Sequence, residues 1–186
     1  MLTHSRYDQD NLVLKRLFTM LIRRLAPSDA ANFQALRLDA LRESSSSFGS
    51  SYEEEVGLSI AAVESKLQAK PDRGIWGAFR NETLIGTVGL ARENLSKLSH
   101  RANLWGMYVA HQERGQGIAR ELLLHVLEFS RTVPAIKKIN LSVNAANTAA
   151  IKLYESAGFT SFGVEPFALM IDGKAQDEVH MYLRIG

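Results

Sequence analysis

One stretch of this chain carries residue types that could do chemistry at useful spacing: Met107-Tyr108-Val109-Ala110-His111-Gln112-Glu113-Arg114-Gly115-Gln116-Gly117-Ile118-Ala119. The pattern predicts a strand ending at Val109, a glycine-containing turn, and then the first turn of a helix. Backbone N–H groups at a helix start have no internal partners and sit at the positive end of the helix dipole. Glycines at 115 and 117 let an anion reach that backbone without meeting a side chain, and Arg114 can add a charge-assisted contact. The chemistry is therefore that of a phosphate or pyrophosphate cradle. Two glycines serving only a tight turn would leave the same trace, so the pair alone does not decide. Two nucleotide motifs are excluded. The dinucleotide fingerprint needs a glycine where Arg120 stands, and the P-loop needs Gly-Lys-Ser/Thr where Gly117 is followed by Ile118.

A second constellation lies downstream: Leu141-Ser142-Val143, then Asn147, Ala150, Leu153, Tyr154, Glu155, Gly158 and Phe159. Together, Gln112-x-x-Gly115-x-Gly117 after Tyr108-Val109 and Asn147-x-x-Ala150-x-x-Leu153-Tyr154-Glu155-x-x-Gly158-Phe159 resemble the two ordered motifs of the GNAT superfamily of N-acetyltransferases. The motifs span residues 102–160, and the flanking elements fit the family's order. The resemblance implies a single α/β (α+β) domain: a mixed, mostly antiparallel sheet with splayed central strands, flanked by helices. It also implies acetyl-CoA as cosubstrate, no metal, and direct transfer of an acetyl group to a primary amine. A non-catalytic acyl-CoA-binding regulatory module remains the alternative, since the loop and the splay could survive without a working base.

Carried over residue by residue, the resemblance places the backbone of Met107, Tyr108 and Val109 along pantetheine, with an amide near Val109 for the developing oxyanion. Gln112, Arg114, Gly115, Gln116, Gly117, Ile118 and Ala119 would hold the pyrophosphate, mostly through backbone amides. Asn147 and Ala150 belong to the cofactor-binding set, although Asn147 could equally be a helix N-cap worth about 1 kcal/mol. Tyr154 would face the thioester sulfur, where its phenol can donate to the leaving thiolate; the same residue could merely anchor its helix. The base is less legible, because Asn103-Leu104-Trp105-Gly106 has no acid where many family members carry one. His111, Glu178, His180 and a water chain are the remaining choices, and Glu178 is the one selected.

The elements that must position these groups follow from periodicity. A strand over residues 21–25 precedes Pro27-Ser28-Asp29, which has helix-start chemistry, and Phe33, Leu36, Ala40 and Leu41 recur at helical spacing. Ser44–Ser51 reads as a loop or flap, and a second helix is expected over residues 52–69. Strands at 75–79 and 83–90 read as a hairpin across Arg80-Asn81-Glu82. Then come a polar loop at 93–101, a strand at 102–109, a helix at 117–131, a strand at 138–143, a helix at 147–157 and strands at 159–164 and 178–184. The acceptor is expected to meet Ser44–Glu55, the loop at 93–101 and a loop at 165–176.

Composition narrows the rest. With 46% hydrophobic residues in 186, one sizeable core is affordable to the chain and global disorder is not. The absence of cysteine excludes disulfides, zinc–thiolate sites and a thiol nucleophile. Lys and Arg number 22 against 20 acids, a formal +2, which gives no general pull toward nucleic acid or anionic membrane. Residues 1–19 read as an N-terminal extension rather than a secretory signal, because the apolar run ends at Ile22 before Arg23 and Arg24. The domain proper is expected over 20–186, and the expected location is cytoplasmic. The acceptor amine is not identified, and a homodimer is left open.

Overall fold

The structure, a computed structural model, describes residues 20–186. The expected N-terminal extension lies outside the described residues. Twelve regular elements follow Met20: β1 (Met20–Arg24), α1 (Ala30–Glu43), α2 (Tyr52–Val56), α3 (Ile60–Lys66), β2 (Arg73–Arg80), β3 (Thr83–Arg92), β4 (Arg101–Val109), α4 (Ile118–Arg131), β5 (Lys138–Asn144), α5 (Thr148–Ser156), β6 (Thr160–Ile171) and β7 (Lys174–Arg184). The strands form one sheet in the order β1-β2-β3-β4-β5-β7-β6. Every pairing is antiparallel except β4 with β5, which run parallel.

Local chemistry explains the boundaries. The β2–β3 turn places Asn81 and Glu82 at φ 47° and 68°, the two-residue conformation whose twist matches the flanking strands. The single helix expected over 52–69 is instead two. Gly57 follows α2, and Ser59 starts α3 by accepting a hydrogen bond from the Ala62 amide. The loop expected at 165–176 is also corrected. β6 and β7 run on as a hairpin closed by Asp172-Gly173, both at positive φ, with bulges on β6 that weaken the alternation a sequence pattern relies on.

Alternation along the strands builds two cores, one on each sheet face. Ile75 and Phe79 join Phe33, Leu36, Leu41, Val63 and Leu67 beneath α1 and α3. Trp76 and Ala78 join Leu122, Leu123, Val126 and Leu127 of α4 on the other face. Tyr108 and Val109, adjacent on β4, divide between the two cores, so this strand end is gripped from both sides.

Candidate active site

The sheet opens at its centre. β4 and β5 pair only at Arg101↔Lys138, Ala102↔Ile139 and Asn103↔Asn140. Beyond that point β4 continues against β3 as far as Val109, and β5 against β7 as far as Asn144. The facing edges from Leu104 and Leu141 onward therefore carry backbone groups with no strand partner. β4 also bulges: Trp105 pairs with Gly89 and Tyr108 with Thr87, which leaves one extra residue on β4, and Gly106 sits at φ 63°. Gly89 is needed opposite, since a Cβ there would lie 2.3 Å from the Trp105 ring.

The opening holds a cavity of about 390 Å³ lined by Met107, Tyr108, Val109, Arg114, Ala119, Asn147, Ala150 and Tyr154. Eight of the residues singled out in the sequence thus converge. The turn beside it is built for an anion. Gly115 and Gly117 lie at φ 76° and 80°, and a Cβ at either would meet nothing within 4 Å. Ser51, Ser59 and Asn147 cap α2, α3 and α5 through their side chains; α1 has no side-chain cap, and neither does α4, which starts at Gly117. Its first amides remain donors without a side-chain acceptor. A pyrophosphate fits this cradle.

Not every expected residue faces the cavity. Gln112 is exposed toward a separate groove that also includes His111. Gln116 accepts a hydrogen bond from Arg80 Nη2 (2.8 Å), which, with the Arg80–Glu113 pair, ties the turn to β2. The Ile118 side chain is buried in the core, which leaves only its backbone to face a ligand. Arg114 is engaged by the protein: its Nε donates to Val109 O (3.0 Å), and its Nη1 lies 3.0 Å from Glu43 Oε1. Asn147 caps α5 through Ala150 N (3.1 Å), so its capping role is realised.

Tyr154 is buried, its ring set edge-on to Phe159 at 5.8 Å between centroids. Burial alone pushes its phenol up to about 12. Tyr108 reaches a similar value by a different route: burial first, then the hydrogen bond it donates to Glu43 Oε2 (2.5 Å). That hydrogen bond is also the largest cause holding Glu43 below the usual carboxylate range, with partial burial opposing it and Arg114 assisting.

A second pocket of about 570 Å³ lies against the first and shares Ser47, Phe48, Leu104, Trp105, Gly106 and Ser142 with it. Its far wall includes Asn140, Phe162, Glu178 and His180. His180 Nδ1 is 2.8 Å from Ser142 Oγ, and its Nε2 is 2.8 Å from Glu165 Oε2. Ser47, Phe48, Gly49 and Ser50 line this pocket, and the loop at 93–101 does not. The Ser45–Ser47 turn is fixed by Asn144, whose Nδ2 donates to Ser46 O (3.1 Å) and to Gln176 Oε1 (3.3 Å). Sequence reasoning missed Glu43, Trp105, Asn144 and Glu165; only Gly106, a glycine inside a strand, signalled the bulge. Among the described residues, no group of three or more His, Cys, Asp or Glu could hold a metal, and no helix is long and apolar enough to cross a membrane.

Comparison with known proteins matches the Acetyltransferase (GNAT) family model over residues 34–159. The chain belongs to the GNAT acetyltransferase family. A curated relative, the spermidine N(1)-acetyltransferase of Vibrio cholerae, is 36% identical over 104 residues, 55% of this chain and 57% of the relative. The match thus spans little more than half of that relative's length. Among solved structures, the GNAT-family acetyltransferase from Streptococcus pneumoniae superposes with a TM-score of 0.82 at 23% identity, covering 90% of this chain and 100% of that one. The Salmonella typhimurium protein yncA, solved with its cofactor acetyl-CoA, gives 0.75 at 18% identity, covering 90% and 95%. These structural likenesses show the GNAT fold.

Proposed function

We propose that this GNAT protein transfers an acetyl group from acetyl-CoA directly to a primary amine. The observation that carries the reading is the opening between β4 and β5, which leads from the uncapped start of α4 to the buried phenol of Tyr154. The two strand edges offer backbone groups that an extended pantetheine arm can pair with as an added strand. The amides at 115–119 would hold the pyrophosphate at the positive end of the α4 dipole, with Arg114, fixed by Glu43 and Val109 O, at the rim. Acetyl-CoA supplies the activated acyl group. The protein's part is to align it, hold the carbonyl oxygen against a backbone amide near Val109, and present Tyr154 to the departing sulfur.

The amine would enter through the second pocket, on the side of Glu178 and His180. These two residues lie on one face of β7, and the group that takes the amine's proton is placed there. Polyamines, simple alkylamines and peptide N-termini or lysines are the acceptor classes to compare. Amine-dependent release of free thiol from acetyl-CoA tests the reading. Binding without turnover of any amine favours the acyl-CoA-binding module instead. Residues 20–186 are proposed as the folded domain, with 1–19 as an extension whose deletion leaves thermal stability within a few degrees. A cytoplasmic location belongs to the same proposal, and cell fractionation tests it.

A further inference from the structure

An amine that reaches the second pocket at neutral pH arrives as an ammonium ion and must lose a proton before its nitrogen can attack. We propose that His180 accepts this proton through the Ser142 hydroxyl, with Glu165 as the positioning residue that holds the imidazole. This assignment rests on the acetyl-transfer reading above and names the proton acceptor within it.

The arrangement comes from three strands. Ser142 on β5 stands opposite His180 on β7, which in turn faces Gly163 on β6, two residues before Glu165. Glu165 Oε2 lies 2.8 Å from His180 Nε2, and Ser142 Oγ lies 2.8 Å from Nδ1. A carboxylate can only accept, so Nε2 carries the hydrogen; in the neutral ring Nδ1 is then a lone pair, and the Ser142 hydroxyl donates to it. The remaining lone pairs of Ser142 Oγ are left for an incoming N–H. Ser142 is also one of the six residues that line both the Tyr154 cavity and the second pocket, so it stands where the two join.

Glu178 lines the same pocket but makes no such chain. An imidazole is matched to proton transfer near neutral pH, where a carboxylate is a weak base. The charged groups around the ring are Glu165 from β6, Glu178 from β7 itself, Lys138 from β5 and Arg37 from α1. Lys138 Nζ lies over the rings of Phe162 and Tyr182 at 5.3 and 4.9 Å, and Arg37 is paired with Glu55. Both cations are directed elsewhere.

The step balances. Ser142 Oγ takes a proton from the ammonium as its own proton passes to His180 Nδ1. The freed lone pair on nitrogen forms the C–N bond while the C–S bond breaks, and the sulfur leaves as a thiolate facing Tyr154. The second proton, shed by the acylated nitrogen, passes to that sulfur, so that ammonium and thioester become amide, thiol and one released proton. The imidazolium, with its side chain 28% exposed, then gives its proton to solvent.

The test is the pH dependence of kcat/KM for the amine in the wild type and in His180→Gln, Glu165→Gln and Glu178→Gln, alongside acetyl-CoA binding by calorimetry. His180→Gln is expected to lose about 100-fold or more at neutral pH. It should also lose the acidic limb of the profile while its Kd for acetyl-CoA stays within about 2-fold. Glu165→Gln should lower kcat with little change in KM for the amine, Glu178→Gln should keep the limb in place, and added imidazole should partly restore a His180→Ala variant. A His180→Gln enzyme with wild-type rate and limb, or a limb that vanishes in Glu178→Gln, overturns the assignment. A wild type that binds acetyl-CoA but turns over no amine overturns the assignment and the transfer reading together, which separates the two failures.

Discussion

Replacing Tyr154 with phenylalanine removes one oxygen atom and leaves the ring against Phe159. The structural cost is small, because burial alone raises this phenol and no hydrogen bond contributes to the shift. Among the described residues the hydroxyl has no hydrogen-bond partner, and Tyr154 lines the open cavity, so its loss is neutral to folding within about 1 kcal/mol, or about 3 °C in Tm for a domain of this size. The catalytic cost is larger. A hydrogen bond from the phenol to the departing thiolate is charge-assisted and worth about 1.5–3 kcal/mol, which corresponds to about 10- to 150-fold in kcat. With the phenol near 12, it stays protonated throughout the working range, so the ratio of wild type to variant should be flat from about pH 6 to 9. Steady-state thiol release at saturating acetyl-CoA, with a thermal melt of the same samples, gives both numbers. An unchanged kcat in a folded Tyr154→Phe refutes the role. A kcat loss matched by a collapse in Tm would show that the oxygen supports the fold rather than the departing sulfur.

Gly117→Ala places a Cβ at φ 80° in otherwise open space, so the fold should lose only about 1–2 kcal/mol while acetyl-CoA binding weakens at least about 10-fold; an unchanged Kd contradicts the cradle. Asn144→Ala removes the hydrogen bonds to Ser46 O, Gln176 and Ala146 N, at a cost of about 2–3 kcal/mol, and should expose the Ser44–Ser51 segment to limited proteolysis; an unaltered cleavage pattern argues against its anchoring role. Asp29 is held below the usual carboxylate range, first by its hydrogen bonds from Arg23 and also by the Ala26 amide, and opposed by burial. Its lowered folded pKa gives stability that is complete above about pH 4 and lost as pH falls further. Asp29→Asn should therefore cost about 2 kcal/mol at pH 7, and the difference should shrink below pH 4; a gap that is constant down to pH 3 refutes the linkage.

Local chemistry made much of this molecule legible in its sequence. The glycine turn, the cap at Asn147, the periodic face of α4 and the Tyr154–Ala150 spacing each depend on residues within one or two turns of one another. The features that were not legible depend on distance along the chain. Tyr108 and Glu43 are 65 residues apart, and Asn144 and Ser46 are 98 apart, so no local pattern announces either contact. The α2–α3 break was hidden because Glu53-Glu54-Glu55 and the later Ile60, Val63 and Leu67 read as one amphipathic run, while Gly57 and Ser59 carried the actual stop and start. The long β6–β7 hairpin was hidden by bulges that shift the inside–outside alternation. Selecting Glu178 alone also followed from local reading, since two residues on one strand face cannot show which of them meets Ser142 and Glu165 across neighbouring strands.

The most direct test of the account is thiol release from acetyl-CoA measured against a panel of polyamines, alkylamines and N-terminal peptides with the full chain. The account predicts saturable release that requires a primary amine, yields the N-acetyl product in equal amount, and falls sharply in Gly117→Ala and Tyr154→Phe. Acetyl-CoA that binds in the β4–β5 opening yet is cleaved no faster with any amine than without one would contradict it.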